Sequence, residues 1–229
     1  MNKNKVQLLG FYGSDEIHAC SAWTSTSREM TEEKKTRIPK LLKMLAEQGH
    51  HTPFEKSGLH FLVTSDIASH IHKLKHRIGV SINGESARYK ELKEDKFYLP
   101  EDWEGIMLSE EVRQDGDFGV ACEGESWTST LRNYTEFGNE LYHAALKDLE
   151  PILGRKRSKE SARFFKTYNS QIDCDIMFNW RSFYHFLNLR NKEASQKEIK
   201  NIAAEMLELV KNIEGNPFQH TIEAFGVCK

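Results

Sequence analysis

The chain has 229 residues, of which 38% are hydrophobic, and it carries a formal net charge of −2 at pH 7. This length and composition suffice for an ordinary hydrophobic core, so we expect one domain spanning residues 1–229. A near-neutral charge argues against a general nucleic-acid binder, because such proteins usually carry a large excess of basic residues. No segment approaches the roughly 18 consecutive apolar residues that a membrane span requires, so no membrane partner is expected.

The cysteines and histidines show no metal-binding pattern. Cys20, Cys122, Cys174 and Cys228 form no C-x-x-C pair, so neither a disulfide framework nor a metal site is predicted. This spacing favours a reduced compartment, the cytoplasm. The sequence has no H-E-x-x-H pattern either, and we therefore expect no metal ion.

The N-terminal part of the chain predicts a helix, a strand and a second helix. Residues 31–49 show a helical apolar stripe that Thr31 can cap, with Pro39 either kinking the helix or marking its true start. Residues 58–64 are rich in β-forming side chains and predict a strand. Ser65 is then expected to cap a second helix, which leads into a cationic run.

The C-terminal half predicts a long helix, a strand and two further helices. Residues 125–149 are expected to form a core helix that ends before Pro151. Its aromatic side chains are interpreted as packing rather than as a platform for a folate ring. Residues 172–178 alternate as a half-buried strand does, and Asn179 can cap the helix that follows. With a final amphipathic helix over residues 199–213, the pattern favours an α/β or α+β fold.

Two separated segments are rich in groups that bind phosphates and rings. Residues 75–89 combine cationic and imidazole side chains with Ser, Asn and Gly, and residues 179–190 add two arginines. Guanidinium groups match phosphate oxygens bidentately, and short neutral donors complete the shell around such an anion. Isolated arginines of this kind are more often surface or ion-pair residues, so the argument depends on the two segments forming one composite site.

Three motifs in these segments and upstream of them resemble the flavin-dependent thymidylate synthases of the ThyX type. The family signature is Arg-His-Arg, seven residues, Ser and then Arg-Tyr. Here Lys75-His76-Arg77 is followed by eight residues, Ser86 and then Arg88-Tyr89. Upstream, residues 50–55 resemble the family's His-x-(Thr/Ser)-Pro-(Phe/Leu)-Glu block. Downstream, residues 179–190 resemble its Asn-x-Arg-Ser and Phe-Leu-x-Leu-Arg blocks.

The resemblance implies a mixed α/β fold with a central, mostly antiparallel sheet flanked by helices. It implies a homotetramer whose active sites lie at subunit junctions. The reaction would be reductive methylation of dUMP to dTMP, with FAD as cofactor, methylenetetrahydrofolate as carbon donor and NADPH as reductant. Since the reduced flavin delivers hydride to the pyrimidine in this family, no cysteine nucleophile is required.

The resemblance also assigns roles to residues by positional match. Arg190 would be the catalytic residue, holding the imide edge of the pyrimidine and stabilising its anion. The residues expected to bind dUMP are His72, Glu85, Ser86, Ala87, Arg88, Arg163 and Arg190. The residues expected to bind the flavin are His50, Thr52, Glu55, Lys75, His76, Arg77, Asn83, Asn179, Arg181 and His185. A serine near Ser25 or Ser27 matches more loosely.

Several positions depart from the family pattern. Lys75 replaces an arginine, His72 replaces a glutamine, Gly84 stands where a glutamate is common, and Ala194 stands where a histidine is common. These departures leave open a catalytically silent flavin- or nucleotide-binding scaffold. A nucleic-acid-binding module that uses the cationic run is a second alternative, and it predicts steep loss of binding with salt.

Overall fold

The structure, a computed structural model, describes residues 3–109 and 124–227. Within these residues there are four strands and seven α-helices. In chain order they are β1 (Lys5–Tyr12), α1 (Asp15–Ala22), α2 (Glu32–Glu47), β2 (Gly58–Asp66), α3 (Ile67–Leu74), β3 (Val80–Gly84), α4 (Trp127–Ala162), β4 (Gln171–Phe178), α5 (Trp180–Arg190), α6 (Lys197–Lys211) and α7 (Gln219–Phe225).

The four strands form one sheet in the order β1-β2-β4-β3. β1 pairs antiparallel with β2, and β3 pairs antiparallel with β4 so that Val80 lies opposite Phe178 and Gly84 opposite Cys174. β3 is therefore an edge strand whose outer side is not covered by another strand of the sheet. The expected mixed α/β fold with a mostly antiparallel sheet is confirmed.

The hydrophobic core lies between the sheet and its helices. In β4 the side chains of Cys174, Ile176 and Phe178 are fully buried while Met177 is exposed, as the two-residue period of a strand requires. α6 buries one apolar stripe, consisting of Ile199, Ile202, Ala203, Met206, Leu207 and Val210. Burial of such stripes, rather than helix propensity, stabilises helices of this length.

The chain divides into two compact units. Unit 1 consists of Met1–Asn4, Ser65–Ala68 and Glu85–Ile172, and it is built around α4. Unit 2 consists of Lys5–Thr64, Ser69–Gly84 and Asp173–Lys229, and it holds most of the sheet with the core. The single domain over residues 1–229 stays a prediction.

Most predicted elements in the N-terminal part are confirmed. The helix over residues 31–49 is α2, capped by Thr31, whose Oγ1 accepts a hydrogen bond from the backbone N of Lys34, and Pro39 lies inside it. The prediction that Ser65 caps a helix is wrong, because Ser65 lies inside β2. The Asn4 side chain binds both the backbone N and the carboxylate of Asp66, which keeps the chain extended beyond Ser65.

The long C-terminal helix differs from its prediction. α4 continues through Pro151 to Ala162, with a break at Gly154, whose φ is 75°. A proline removes one helical hydrogen bond and bends a helix, but it does not always end it. The expectation of a core helix is also wrong for its first turns, since Trp127 is 40% and Tyr134 is 65% exposed.

The remaining predictions concern β4, the helix cap at its end, α6 and the cysteines. Strand 172–178 is β4, and helix 199–213 is α6. β1, β3, α1 and α7 were not predicted. Cys20 and Cys174 are free, while Cys122 and Cys228 lie outside the described residues. None of the described helices is long and apolar enough to cross a membrane.

Candidate functional site

The N-terminus of α5 packs against the turn that precedes β3. Asn179 caps α5, its Oδ1 accepting from the backbone N of Ser182 at 2.9 Å. The Ser182 hydroxyl donates to the carbonyl oxygen of Ile78 at 2.8 Å. Gly79 has a φ of +66°, and a Cβ there would lie 2.6 Å from Asn179 Nδ2. Only glycine fits this turn, so the two cationic segments meet at a fixed junction.

Arg190, in the last turn of α5, is held by two histidines, His72 in α3 and His76 just after it. Its Nε donates to His76 Nε2 at 3.0 Å, and its Nη1 group lies 3.3 Å from His72 Nδ1. Because His72 Nδ1 accepts from a permanent donor, its proton lies on Nε2, which donates to Gln196 Oε1 at 3.0 Å. A chain of hydrogen bonds thus runs from α6's N-terminal end to the Arg190 guanidinium.

His76 can accept this hydrogen bond because it is neutral. Its side chain is buried, and burial lowers the pKa of His76 to about 4, with the charges of Arg190, His185 and His72 acting in the same direction. The ring meets Phe186 edge-on at a centroid distance of 5.0 Å and His185 at 5.7 Å. The packing therefore maintains an uncharged acceptor next to a cation.

A second polar contact joins the upstream motif to α5. Arg181 Nη1 lies 2.5 Å from Glu55 Oε1, an ion pair with both side chains partly exposed. Glu55 ends a short 3-10 turn, Thr52–Glu55, that follows α2. Thr52 and the preceding His50 are exposed beside this turn.

The segment from α3 to β3 exposes cations at a cavity lined by both polar and apolar side chains. Lys75, Arg77 and Asn83 are exposed, and Ile78 is 90% exposed. A cavity of 460 Å³ is lined by Leu74, His76, Arg77, Val80 and Ile82. A cavity that joins an arginine to the apolar side chains of Leu74, Val80 and Ile82 suits a ligand that combines anionic groups with a flat ring.

The remaining signature residues lie in unit 1. Glu85, with its carboxylate 2.8 Å from Lys90 Nζ, begins a turn in which the Ser86 carbonyl oxygen accepts from the backbone N of Tyr89. Arg88 Nε donates to Glu160 Oε1 at 2.9 Å, and this contact holds the pKa of the Glu160 carboxyl below its usual value. The loop is thus anchored to the C-terminal half of α4.

Comparison with known proteins identifies the family to which the chain belongs. The family described as thymidylate synthase complementing protein matches residues 7–214. The chain belongs to this family. The resemblance inferred from the three motifs is therefore confirmed.

Its relatives include proteins named flavin-dependent thymidylate synthase. That of Kosmotoga olearia is 28% identical over 212 residues, which cover 93% of this chain and 87% of the relative. That of Thermosipho africanus is 29% identical over 225 residues, covering 98% and 92%.

Solved structures of similar fold include the UMP/dUMP methylase PolB from Streptomyces cacaoi. Its structure bound with 5-Br dUMP has a TM-score of 0.74 and 26% identity, and it covers 98% of this chain and 95% of that one. The structure with 5-Br UMP has a TM-score of 0.69 at 24% identity, covering 99% and 96%, and supports the fold.

Within this family's pattern, the structure brings some of the expected site residues together. In unit 2 it gathers His72, His76, His185 and Arg190 in one cluster, and it pairs Glu55 with Arg181. In unit 1 it places Glu85, Ser86, Ala87 and Arg88 in one turn, whereas Arg163 lies exposed at the end of α4. Ser25 ends the 3-10 turn that follows α1, and both it and Ser27 are exposed.

Three residues of the site were given no role from the sequence. Gln196 holds His72, while Gly79 and Ser182 form the junction at the α5 N-terminus. Gly79 carried a usable signal, because a glycine shortly after the end of a predicted helix often marks a positive φ or a close backbone approach. The family pattern retains Gln196, but its contact with His72 carried no local signal, since the two residues lie 124 positions apart.

Proposed function

We propose that the protein is a flavin-dependent thymidylate synthase that converts dUMP to dTMP. Its cofactor would be FAD, its carbon donor methylenetetrahydrofolate and its reductant NADPH. Membership of the family and the fold shared with a UMP/dUMP methylase support the proposal. The observation that carries it is the Arg190 guanidinium, which the imidazoles of His72 and His76 hold at the C-terminal end of α5.

Some N–H donors of Arg190 are not used within the protein and can bind a substrate. A guanidinium carries five N–H groups in a fixed plane. The Nε group is bound to His76, one Nη1 donor points to His72, and Nη2 lies 3.5 Å from the His72 carbonyl oxygen. Two N–H groups remain, one on each terminal nitrogen, and they can bind the imide edge of uracil. There the permanent charge would stabilise the anion that develops on the ring.

The dUMP phosphate would be bound by Ser86, the Ala87 backbone, Arg88 and Arg163. Glu85 and His72 are the remaining residues that the family pattern assigns to dUMP. Arg88 already pairs with Glu160, so it is oriented before the substrate arrives and would share its donors between carboxylate and phosphate. Preorientation of this kind lowers the entropy lost on binding.

The residues around β3 fit a flavin. The exposed Lys75 and Arg77 suit the pyrophosphate of FAD, and the cavity beside them has the apolar wall that an isoalloxazine needs. Asn83, His50, Thr52, Glu55, Asn179, Arg181 and His185 would complete the contacts. When bound, the flavin would supply the hydride that completes the methyl group.

We also propose that the protein acts as a homotetramer in the cytoplasm, with active sites shared between subunits. Large apolar side chains on the isolated chain support association, since Ile78 is 90%, Ile152 79% and Phe164 78% exposed. Sedimentation velocity of the purified protein tests the tetramer. The cytoplasmic location stays a prediction from the cysteine spacing.

The function is tested by the Arg190→Ala variant in an assay of dTMP formation from dUMP. We expect product formation to be abolished while the flavin absorbance of the purified protein is retained, because Arg190 is proposed to contact the pyrimidine. Arg37→Ala, on the exposed face of α2, is the matched control and should keep full activity. Full activity of Arg190→Ala would refute its catalytic role.

The same preparation separates the alternative functions. A yellow wild-type protein that binds dUMP but forms no dTMP would indicate a silent scaffold, and a colourless protein that retains RNA or DNA would indicate a nucleic-acid-binding module. UMP is assayed beside dUMP, because the similar PolB enzyme is described as a UMP/dUMP methylase.

A further inference from the structure

A cavity of 410 Å³ lies in unit 1, where residues 89–96 fold over the C-terminal half of α4. Its size is within the range of small-molecule sites. Of the residues expected to bind dUMP or flavin, only Glu85 lines it. The cavity therefore shares Glu85 with the proposed dUMP contacts, and its other lining residues were given no role in binding dUMP or flavin.

The lining carries more positive than negative side chains. Six cations, Lys90, Lys93, Lys96, Arg155, Lys159 and Lys166, face four carboxylates, Glu85, Glu91, Glu94 and Asp95. Three of the carboxylates form ion pairs, Glu85 with Lys90, Glu94 with Lys96 and Asp95 with Lys166, and Glu91 Oε1 lies 3.5 Å from His143 Nδ1. In the described part of the chain, Lys93, Arg155 and Lys159 have no carboxylate partner.

Lys159 is the most informative of these three cations. Its side chain is only 8% exposed, and its ammonium donates to the Tyr89 carbonyl oxygen at 3.1 Å. An ammonium has three donors, and burying it without a counter-charge is costly. An anion in the cavity would supply the missing charge and acceptors.

Gln171 provides an independent sign of a missing ligand. It lines the same cavity and is 5% exposed, and its Oε1 is buried without a hydrogen-bond partner. Its amide nitrogen is already used, since Nε2 donates to Asn4 Oδ1 at 2.9 Å. A buried amide oxygen of this kind calls for an N–H or O–H donor from the occupant.

We propose that this cavity binds a small phosphorylated molecule. Three cations around one compact hollow match a group that carries two or more negative charges, and a phosphate offers several acceptor oxygens at once to Arg155 and Lys159. A hydroxyl or a protonated phosphate oxygen of the same ligand would donate to Gln171 Oε1.

The test is calorimetric titration of the intact protein with inorganic pyrophosphate, with and without saturating dUMP. Pyrophosphate should bind at an additional site that dUMP does not compete for. Lys159→Gln should weaken this binding roughly tenfold or more, as expected for the loss of one charged hydrogen bond. Lys147→Gln, on the exposed surface of the same helix, is the matched control and should leave it unchanged.

Arg155→Gln provides a second variant, since Arg155 is exposed and its replacement does not disturb the core. It should weaken pyrophosphate binding about threefold or more.

Absence of pyrophosphate binding, full competition by dUMP, or equal effects of Lys147→Gln and Lys159→Gln would overturn the proposal. Citrate binding as tightly as pyrophosphate would overturn the assignment to phosphates. Loss of dTMP synthesis with intact pyrophosphate binding would refute the proposed enzyme function alone.

Discussion

Arg190 is held by imidazoles that must be neutral to accept its hydrogen bonds. His76 achieves this through burial against Phe186, and His72 presents Nδ1 to the guanidinium while its Nε2 lies 3.0 Å from Gln196 Oε1. A carboxylate in either place would bind the guanidinium more strongly and neutralise it. Two neutral acceptors orient Arg190 and leave its charge available to a substrate.

His76→Leu should therefore lower kcat/KM for dUMP, because Arg190 Nε loses its acceptor. The cost of one unpaired charged donor predicts roughly a tenfold loss. His76→Gln keeps an acceptor oxygen and should therefore lose less of the kcat/KM than His76→Leu does. The two variants are compared by steady-state kinetics, with flavin content measured by absorbance. If Leu and Gln behave alike at equal flavin content, the positioning role of His76 is wrong.

The contact between the α5 N-terminus and the turn before β3 is the element-scale feature that holds the site. Asn179 and Ser182 satisfy backbone groups of α5 and of the turn with two hydrogen bonds. Gly79 leaves room for them. Since Arg190 lies at the other end of α5, the direction of this helix decides where the guanidinium lies.

Gly79→Ala should destabilise the protein more than Gly49→Ala does. Both glycines have similar positive φ values, +66° and +72°, but a Cβ at residue 49 meets no atom within 4 Å. Gly49→Ala should cost only the left-handed backbone penalty, about 1–2 kcal/mol. Gly79→Ala adds the clash with Asn179 and Ser182, and we expect at least about 1 kcal/mol more. Urea denaturation measures the free energy of unfolding of both variants. An equal decrease in the two would contradict the packing described for Gly79.

Neutral histidines recur in unit 2, where His18 and His76 are buried and His70 is partly buried. Burial lowers the pKa of His18, His70 and His76 to about 4 in each case, with Lys73 adding to the effect at His70. His18 Nδ1 lies 3.0 Å from Thr221 Oγ1, and its other nitrogen is buried without a partner. As the pH falls below 6.5, the unfolded chain takes up protons on these rings, whereas the folded chain keeps them neutral until the pH approaches 4.

The free energy of unfolding should therefore fall as the pH is lowered from about 6.5 towards 4, where the unfolded chain binds more protons than the folded one. Between pH 6.5 and 5, His18 alone should contribute a loss of about 1–2 kcal/mol. Urea unfolding at several pH values measures the slope. His18→Gln should flatten it, and a slope near zero in the unsubstituted protein would contradict the neutral state of these rings.

Local sequence patterns predicted the elements whose period and caps are strong. Thr31 and Asn179 cap α2 and α5 as expected, and the alternation in β4 identified its buried face. The limits of β2 and α4 were wrong, because Asn4 extends the first from a distance and Gly154 rather than Pro151 breaks the second. β1 and β3 were missed, since each is stabilised mainly by pairing with a strand far along the chain.

The order of motifs along the sequence was enough to determine the family and the set of candidate residues. Which of them touch was decided only by the tertiary structure, because His76 and Arg190 lie 114 positions apart and meet through the packing of α5 beside the α3 segment. The cavity at Lys159 is likewise a feature that only the tertiary structure decides. Its charge balance depends on which carboxylates find partners, and pairing in space is a property of the folded chain.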